Sequence, residues 1–146
     1  MSKSKRLISL DFDGVIYPNL SPWKGPLNLP EEPVPGAFDF LRMITEHFSV
    51  AIFSERSCSI GGIDAMRGWL IARAQTENAN RVKNGLGTYS TAWVAALEWP
   101  REKPPAFLII DDRAVCFTGE WPTIDMVRNF VPWNRRPVAD LKLDGG

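Results

Sequence analysis

The apolar positions of this chain fall into short unbroken runs and helically spaced sets, and the two patterns alternate. Residues 7–10, 50–53 and 107–110 are runs of mostly apolar side chains, as expected of strands buried on both faces. Residues 36–47 and 63–77 instead place apolar side chains three and four positions apart, which predicts two helices. This alternation is typical of an α/β fold with a parallel sheet.

Weaker patterns extend the predicted sheet. Residues 91–97 and 115–117 are short apolar segments that predict two further strands, and a short helix is predicted near residues 124–130. We therefore predict a three-layer, Rossmann-like parallel sheet of about five strands with helices on both faces. The prediction is one domain over residues 1–146, since the sequence shows no domain linker.

Segment 17–35 interrupts the alternation because it is rich in proline. It holds six of the twelve prolines of the chain. Proline lacks a backbone N–H and fixes φ, so we predict an irregular loop inserted in the domain rather than a helix or a central strand. Loops of this length in compact domains are usually functional or disordered.

Composition narrows the class of protein. The apolar fraction of 45% allows a substantial core, and no apolar run is long enough to span a membrane. The formal net charge of zero argues against a long nucleic-acid footprint. The basic residues at the start precede an apolar run too short for a secretory signal, so we expect a soluble, cytoplasmic protein. The chain has two cysteines and one histidine. These numbers argue against a disulfide framework, a zinc site and Ser-His-Asp hydrolysis.

Polar residues follow three of the predicted strands. Asp11 and Asp13 follow the first run, Ser54 follows the second, and Asp111 and Asp112 follow the run at 107–110. Ligands of open parallel sheets bind at the carboxyl ends of the strands, so we expect these side chains on one rim. Four carboxylates repel one another unless a cation lies between them, and all-oxygen ligand sets suit Mg²⁺.

In this order and spacing the motifs resemble those of the haloacid-dehalogenase-like hydrolases. Residues 11–15, Asp-Phe-Asp-Gly-Val, resemble the first motif of that superfamily, and Ser54 resembles the second. Lys103 resembles the third, eight residues before the Asp111-Asp112 pair, which resembles the fourth in an Asp-Asp-Arg form. The resemblance extends from residue 7 to about residue 120. The short intervals between motifs resemble those of small, capless members.

The resemblance implies a magnesium-dependent phosphatase that hydrolyses a phosphate monoester through an aspartyl-phosphate on Asp11. Asp13 would protonate the leaving group and then activate water, while its backbone carbonyl binds magnesium. Ser54 and Lys103 would hold the phosphoryl group. Magnesium would be held by the four motif acids, with the direct ligand of the last two left open: Asp11, Asp13, Asp111 and Asp112.

Several of these residues have a second interpretation. Ser54 is also a favoured helix N-cap, and one serine can do both. Lys83 is a rival for the role of Lys103, although it lies far from the fourth motif. Arg56 could bind a phosphate bidentately or pair with Glu55.

Without a cap, an open site could accept a large substrate. Alternatively, segment 17–35 or a neighbouring subunit could supply a lid. Trp23 lies in that segment and could pack the loop, stack on a substrate ring or contact a second subunit, with packing as the default. Trp121 is expected to border the site, since it follows the fourth motif.

Two other functions compete with a general phosphatase. One is a phosphatase of nucleotides or nucleic-acid ends. The other, from a different class, is a non-catalytic module that binds phosphate or regulates a partner. A phosphate-receiver domain also uses acids, a lysine and a parallel sheet, but it needs its acid pair early in the chain, and here the double acid comes late.

Overall fold

The computed structural model describes residues 4–136, and these form an α/β fold around a small parallel sheet. The sheet has three strands in the order β2-β1-β3: β1 (Leu7–Leu10), β2 (Ser49–Ile52) and β3 (Leu108–Ile110). Ile8 of β1 lies opposite Val50 on one side and Leu108 on the other. The predicted fold class, the parallel pairing and the three strongest strands are confirmed.

The described residues form four α-helices: α1 (Ala37–His47), α2 (Gly62–Lys83), α3 (Ala92–Ala96) and α4 (Ile124–Arg128). There are also two short 3-10 helices: Glu55–Cys58 and Trp133–Arg135. The helix predicted over residues 63–77 continues to Lys83 in the structure. The prediction ended too early because the last turns are polar and lack apolar periodicity. None of the helices in this part of the chain is both long and apolar enough to cross a membrane.

The strand predicted at residues 91–97 is wrong, since this segment contains α3. Alanine at three of its positions favours a helix, and Trp93 of that helix is buried in the core. The next residue position that reaches the sheet is Glu98, which pairs with β2 through two backbone hydrogen bonds of 2.9 Å. The pairing goes no further because Pro100 cannot donate a backbone hydrogen bond.

The strand predicted at residues 115–117 is also wrong. These residues form neither helix nor strand, and Phe117 packs instead on Trp121, with ring centroids 4.7 Å apart. The described residues therefore form three strands, not five. Both Leu108 and Ile109 of β3 are about half exposed, so this strand is not fully covered on either face. Helix layers on both faces of the sheet stay a prediction.

A cluster of buried aromatic rings joins the first acidic motif to the helices. Phe12 stacks on Tyr17 at 5.7 Å and meets the edge of Trp69 of α2 at 5.4 Å. Phe38 of α1 contacts Trp93 of α3 at 5.0 Å and lies 6.3 Å from Trp69. Aromatic pairs of this kind contribute about 0.5–1.5 kcal/mol each beyond burial. The turn that carries Asp11 and Asp13 is thus fixed by the core.

The proline-rich segment forms no helix or strand between residues 18 and 35, as predicted, but it is packed against the domain. Glu31 accepts hydrogen bonds from the backbone of Leu20 and from the Ser21 hydroxyl, which lies 2.8 Å away. Although burial opposes the change, these hydrogen bonds lower the pKa of Glu31. The Trp69 indole donates to the Glu31 carbonyl at 3.0 Å. The loop therefore has a defined structure.

Candidate functional site

The carboxyl ends of the three strands meet at one cavity of about 670 Å³. Asp11, Ser54 and Asp111 all line it. The strand ladder continues one residue beyond β1, because the Asp11 N–H donates to the Ile110 carbonyl at 2.9 Å, and this places Asp11 beside Asp111. The convergence expected of parallel strand ends is present in the structure.

Three of the four motif acids form one cluster. A carboxylate oxygen from each of Asp11, Asp111 and Asp112 lies within 4.8 Å of the others. Backbone donors orient two of them: the Phe12 N–H donates to Asp11 Oδ1 at 2.7 Å, and the Arg113 N–H donates to Asp111 Oδ1 at 2.8 Å. The side chain of Asp112 is only 4% exposed. Both residues of the late acid pair thus face Asp11.

The cluster lacks enough positive charge. Burial, and next the charge of Asp111, raise the pKa of Asp11 to about 8, although the Phe12 N–H opposes the shift. Burial and the charge of Asp111 also raise the pKa of Asp112. Among the described residues, these three acids form one ion pair, between Asp112 and the Nε of exposed Arg113 at 3.9 Å. A partly buried, acid-only oxygen set of this kind fits a hard divalent cation such as Mg²⁺.

Gly14 makes the close packing of the acids possible. Its φ is +80°, and a Cβ at this position would lie 2.1 Å from Asp112 Oδ2. Its carbonyl accepts a 2.6 Å hydrogen bond from the Trp133 indole, and Asn134 donates to the Pro18 carbonyl at 2.9 Å. Sequence reasoning missed both contacts because the partners are 119 and 116 residues apart and carry no local signal.

Asp13 is separated from the cluster by an ion pair with Arg56. Arg56 Nη2 lies 2.8 Å from Asp13 Oδ1, and Nε lies within 3.0 Å of both oxygens. Arg56 is 2% exposed, and its Nη1 donates to the Pro26 carbonyl at 2.9 Å. Of the two interpretations of Arg56, the ion pair is present but its partner is Asp13 instead of Glu55, and the binding of phosphate stays a prediction. Its guanidinium lines the cavity with most of its donors already engaged.

Ser54 is the N-cap of the 3-10 helix Glu55–Cys58, in agreement with one of its two interpretations. Its Oγ accepts from the Arg56 N–H at 3.1 Å and lies 3.4 Å from Asp13 Oδ2. Gly62 permits the start of α2 to pack behind this helix, since a Cβ there would lie 1.8 Å from the Arg56 carbonyl oxygen. The hydroxyl thus caps a helix and also faces the cavity.

Lys103 and Trp121 are not among the described residues that line the cavity. Lys103 is exposed, on a turn beside the 3-10 helix, where Cys58 Sγ lies 3.7 Å from the Arg101 carbonyl. Its rival Lys83 is exposed at the end of α2 and does not line the cavity either. The role of Lys103 stays a prediction. Trp121 is 84% exposed and packs on Phe117, away from the cavity wall.

The proline-rich loop supplies part of the cavity wall through Asn19 and Trp23. Asn19 has a φ of +59°, a left-handed conformation that asparagine tolerates better than most side chains. Sequence reasoning singled out Trp23 but not Asn19, although asparagine after Pro18 is a turn signal. Comparisons of the chain with protein-family models, curated proteins and solved structures gave no match.

Proposed function

We propose that this protein is a magnesium-dependent phosphatase of phosphate monoesters, as its resemblance to the haloacid-dehalogenase-like hydrolases implies. The observation that carries the proposal is the division of the acids in one cavity. Asp11, Asp111 and Asp112 cluster within 4.8 Å, whereas Asp13 lies apart on Arg56. Phosphoryl transfer to a carboxylate needs a nucleophile and a separate proton carrier, and this arrangement offers both.

The pKa of Asp11 supports a requirement for a cation. With a pKa of about 8, the carboxyl group of Asp11 is mostly protonated at neutral pH, and a protonated carboxyl group is a poor nucleophile. Asp11, Asp111 and Asp112 would hold Mg²⁺. When bound, the ion offsets the negative charge of the acids and of the phosphate. Asp11 then remains a carboxylate at neutral pH.

The reaction proceeds in two steps. In the first, a carboxylate oxygen of Asp11 attacks phosphorus, the bond to the leaving oxygen breaks, and Asp13 gives that oxygen a proton. In the second, a water molecule gives a proton to Asp13 while its oxygen attacks phosphorus, and the bond to Asp11 breaks. Phosphate leaves, and Asp11 is restored as a carboxylate.

Two neighbours of Asp13 support its part in these steps. Arg56 fixes the carboxylate plane through its Nε and Nη2 donors. The Ser54 hydroxyl lies 3.4 Å from Asp13 Oδ2, and a hydroxyl can rotate from one acceptor to another. Ser54 can therefore turn to a phosphoryl oxygen, and Asp13 Oδ2 then keeps only its 2.9 Å contact with Arg56 Nε while it exchanges a proton. The resemblance also assigns Lys103 to the phosphoryl group, although Lys103 is exposed and does not line the cavity.

The first test is hydrolysis of an aryl phosphate with Mg²⁺. We expect phosphate release by the wild-type protein, loss of release with EDTA, and a fall of at least about 1,000-fold in kcat for Asp11→Asn, since that variant has no nucleophile. Asp125→Asn on the surface of α4 is the matched control and keeps full activity, since Asp125 pairs only with Arg128 at 3.3 Å among its described contacts.

Wild-type protein that releases no phosphate from a broad substrate panel contradicts the proposal. Titration calorimetry then tests the remaining possibility, a non-catalytic module. Binding of Mg²⁺ and inorganic phosphate without turnover identifies a phosphate-binding or regulatory module.

A further inference from the structure

Trp23 is an unusual tryptophan in this molecule because it is exposed inside a cavity. Its side chain lines the cavity that holds Asp11 and Asp13, and it is 61% exposed. Trp69 and Trp93, by contrast, are buried in the core. A large apolar ring left in water within a polar cavity loses the free energy that its burial would provide. Packing, the default interpretation of Trp23, accounts for its contact with Arg56 but not for the exposed part of the ring.

The Trp23 ring is held in place from one side. The Arg56 guanidinium lies over it, with Cζ 4.5 Å from the ring centroid. Arg56 is itself fixed by Asp13 and by the Pro26 carbonyl, so it cannot follow a moving side chain. A cation over an aromatic face is worth about 0.5–2 kcal/mol. The exposed face of the ring is therefore the face that points away from Arg56.

The same guanidinium connects the ring to the proposed chemistry. Arg56 contacts the proton carrier Asp13 at 2.8 Å and the Trp23 ring at 4.5 Å, so a single side chain separates the two. Trp23 and Asp11 line the same cavity, so a substrate that fills it can place a ring on Trp23 and its phosphate at Asp11. The cavity volume of about 670 Å³ lies within the range of about 300–1,000 Å³ typical of small-molecule sites.

We infer that Trp23 is a stacking platform, and that the substrate is a phosphate monoester whose leaving group carries a planar ring. This inference rests on the proposed phosphatase activity. Stacking of a base or aryl ring on an aromatic side chain contributes about 1–3 kcal/mol and tolerates different ring types. Two sources share this chemistry, nucleoside monophosphates and simple aryl phosphates, and both present a ring near the phosphorus atom.

The test compares kcat/KM for adenosine 5′-monophosphate, phenyl phosphate and glycerol phosphate. The wild-type protein prefers one of the two ring-bearing substrates over glycerol phosphate. In Trp23→Ala this preference falls about tenfold, mainly through KM, whereas Trp23→Phe keeps most of it. Trp121→Ala is the matched control, since Trp121 is more exposed but lies outside the cavity wall, and it leaves the preference unchanged.

The relative rates of the two ring-bearing substrates identify the source of the ring. Equal losses on all three substrates in Trp23→Ala, or a wild-type preference for glycerol phosphate, overturn the inference while phosphatase activity stands. If no substrate is hydrolysed, the proposed function fails. Titration calorimetry then tests separately whether Trp23 binds a planar ring. Adenosine 5′-monophosphate should then bind the Mg²⁺-loaded protein about tenfold more weakly in Trp23→Ala than in wild type, and equal affinities overturn it.

Discussion

Two aspartates that are two positions apart in sequence have opposite surroundings. Asp11 faces other carboxylates, and burial with the charge of Asp111 raises its pKa to about 8. Asp13 faces the guanidinium of Arg56 at 2.8 Å. Environments that differ this much are the usual way in which one residue type takes two roles in a reaction. The surroundings distinguish the two aspartates, and the proposed use of Asp11 as the nucleophile requires bound Mg²⁺ to hold its carboxyl group in the ionised form.

The role of Asp13 can be isolated with a substrate whose leaving group needs no proton. We expect Asp13→Asn to react once with p-nitrophenyl phosphate, because p-nitrophenolate leaves readily as an anion. The second step then stalls, since no base activates water. The measurement is a burst of about one p-nitrophenolate per protein molecule, with phosphorylated Asp11 found by mass spectrometry after an acid quench.

The control for this experiment is the double variant Asp11→Asn, Asp13→Asn, which should give no burst. An alkyl phosphate should give none with Asp13→Asn either, because its leaving group requires the missing proton. Steady turnover of p-nitrophenyl phosphate by Asp13→Asn would show that another group activates the water and would reject the role given to Asp13.

Sequence predicted the convergence of the acids because it follows from topology. Parallel strands end at the same edge, so Asp11 and Asp111 had to meet once their strands were identified. The partner of Arg56 could not be predicted in this way. It depends on how the turn after Ser54 is oriented, and that turn is fixed by the close approach of Gly62 to the Arg56 backbone. Arg56 and Asp13 are 43 residues apart, and a contact over such a sequence separation leaves no local pattern in the sequence.

At the scale of elements, the proline-rich loop belongs to the site rather than beside it. Arg56 connects the loop to the acids, since it donates to the Pro26 carbonyl at 2.9 Å and pairs with Asp13. Trp69 of α2 and Arg73 anchor the loop at Glu31 and Glu32. Side chains of neighbouring elements thus hold the loop in place, although it contains no helix or strand.

Arg56→Gln should release this loop. Loss of one partner of a buried ion pair leaves the other uncompensated, and we expect the free energy of unfolding to fall by about 3 kcal/mol. Amide hydrogen exchange should become faster over residues 18–35 and change little in β1. Arg67→Gln, at an exposed position of α2, is the matched control and should change stability by less than about 0.5 kcal/mol.

A double-mutant cycle separates the ion pair from other effects of removing Arg56. With Asp13 already changed to asparagine, the further change Arg56→Gln should cost clearly less than it does in the wild-type protein. Equal costs in the two backgrounds, or unchanged exchange in the loop, would mean that Arg56 does not hold the loop through Asp13.

The elements that were predicted incorrectly show where apolar patterns are ambiguous. The apolar residues 91–97 predict a strand, but alanine favours a helix. Trp93 can be buried from a strand or from a helix, so its burial does not distinguish the two. The position beside β2 is instead taken by Glu98 alone. Residues 115–117 are apolar yet exposed, and an apolar run shows no more than that burial would be favourable.

At the scale of the whole molecule, the acid cluster opposes folding when no cation is bound. The folded protein holds a proton on Asp11 up to about pH 8, whereas the unfolded chain releases it near the ordinary value of 3.8. The folded state therefore binds more protons between these two values, and stability must fall as pH rises through them. The raised pKa of Asp112 acts in the same direction.

Urea unfolding of the protein in EDTA, followed by tryptophan fluorescence from pH 5 to pH 9, should therefore show a midpoint that decreases up to about pH 8. Mg²⁺ replaces the proton, so it should raise the free energy of unfolding little at pH 5 and most above pH 8, by about 2.7 kcal/mol at a concentration 100 times its Kd. Asp11→Asn removes the titrating group. In EDTA it should be more stable than wild type at pH 8 and should depend less on pH over this range, with a smaller response to Mg²⁺. A wild-type midpoint that rises between pH 5 and pH 8 in EDTA would contradict the raised pKa. A response to Mg²⁺ that is equal in wild type and Asp11→Asn would place the ion away from Asp11. Both outcomes are independent of turnover, so stability tests the acid cluster even if the substrate is never identified.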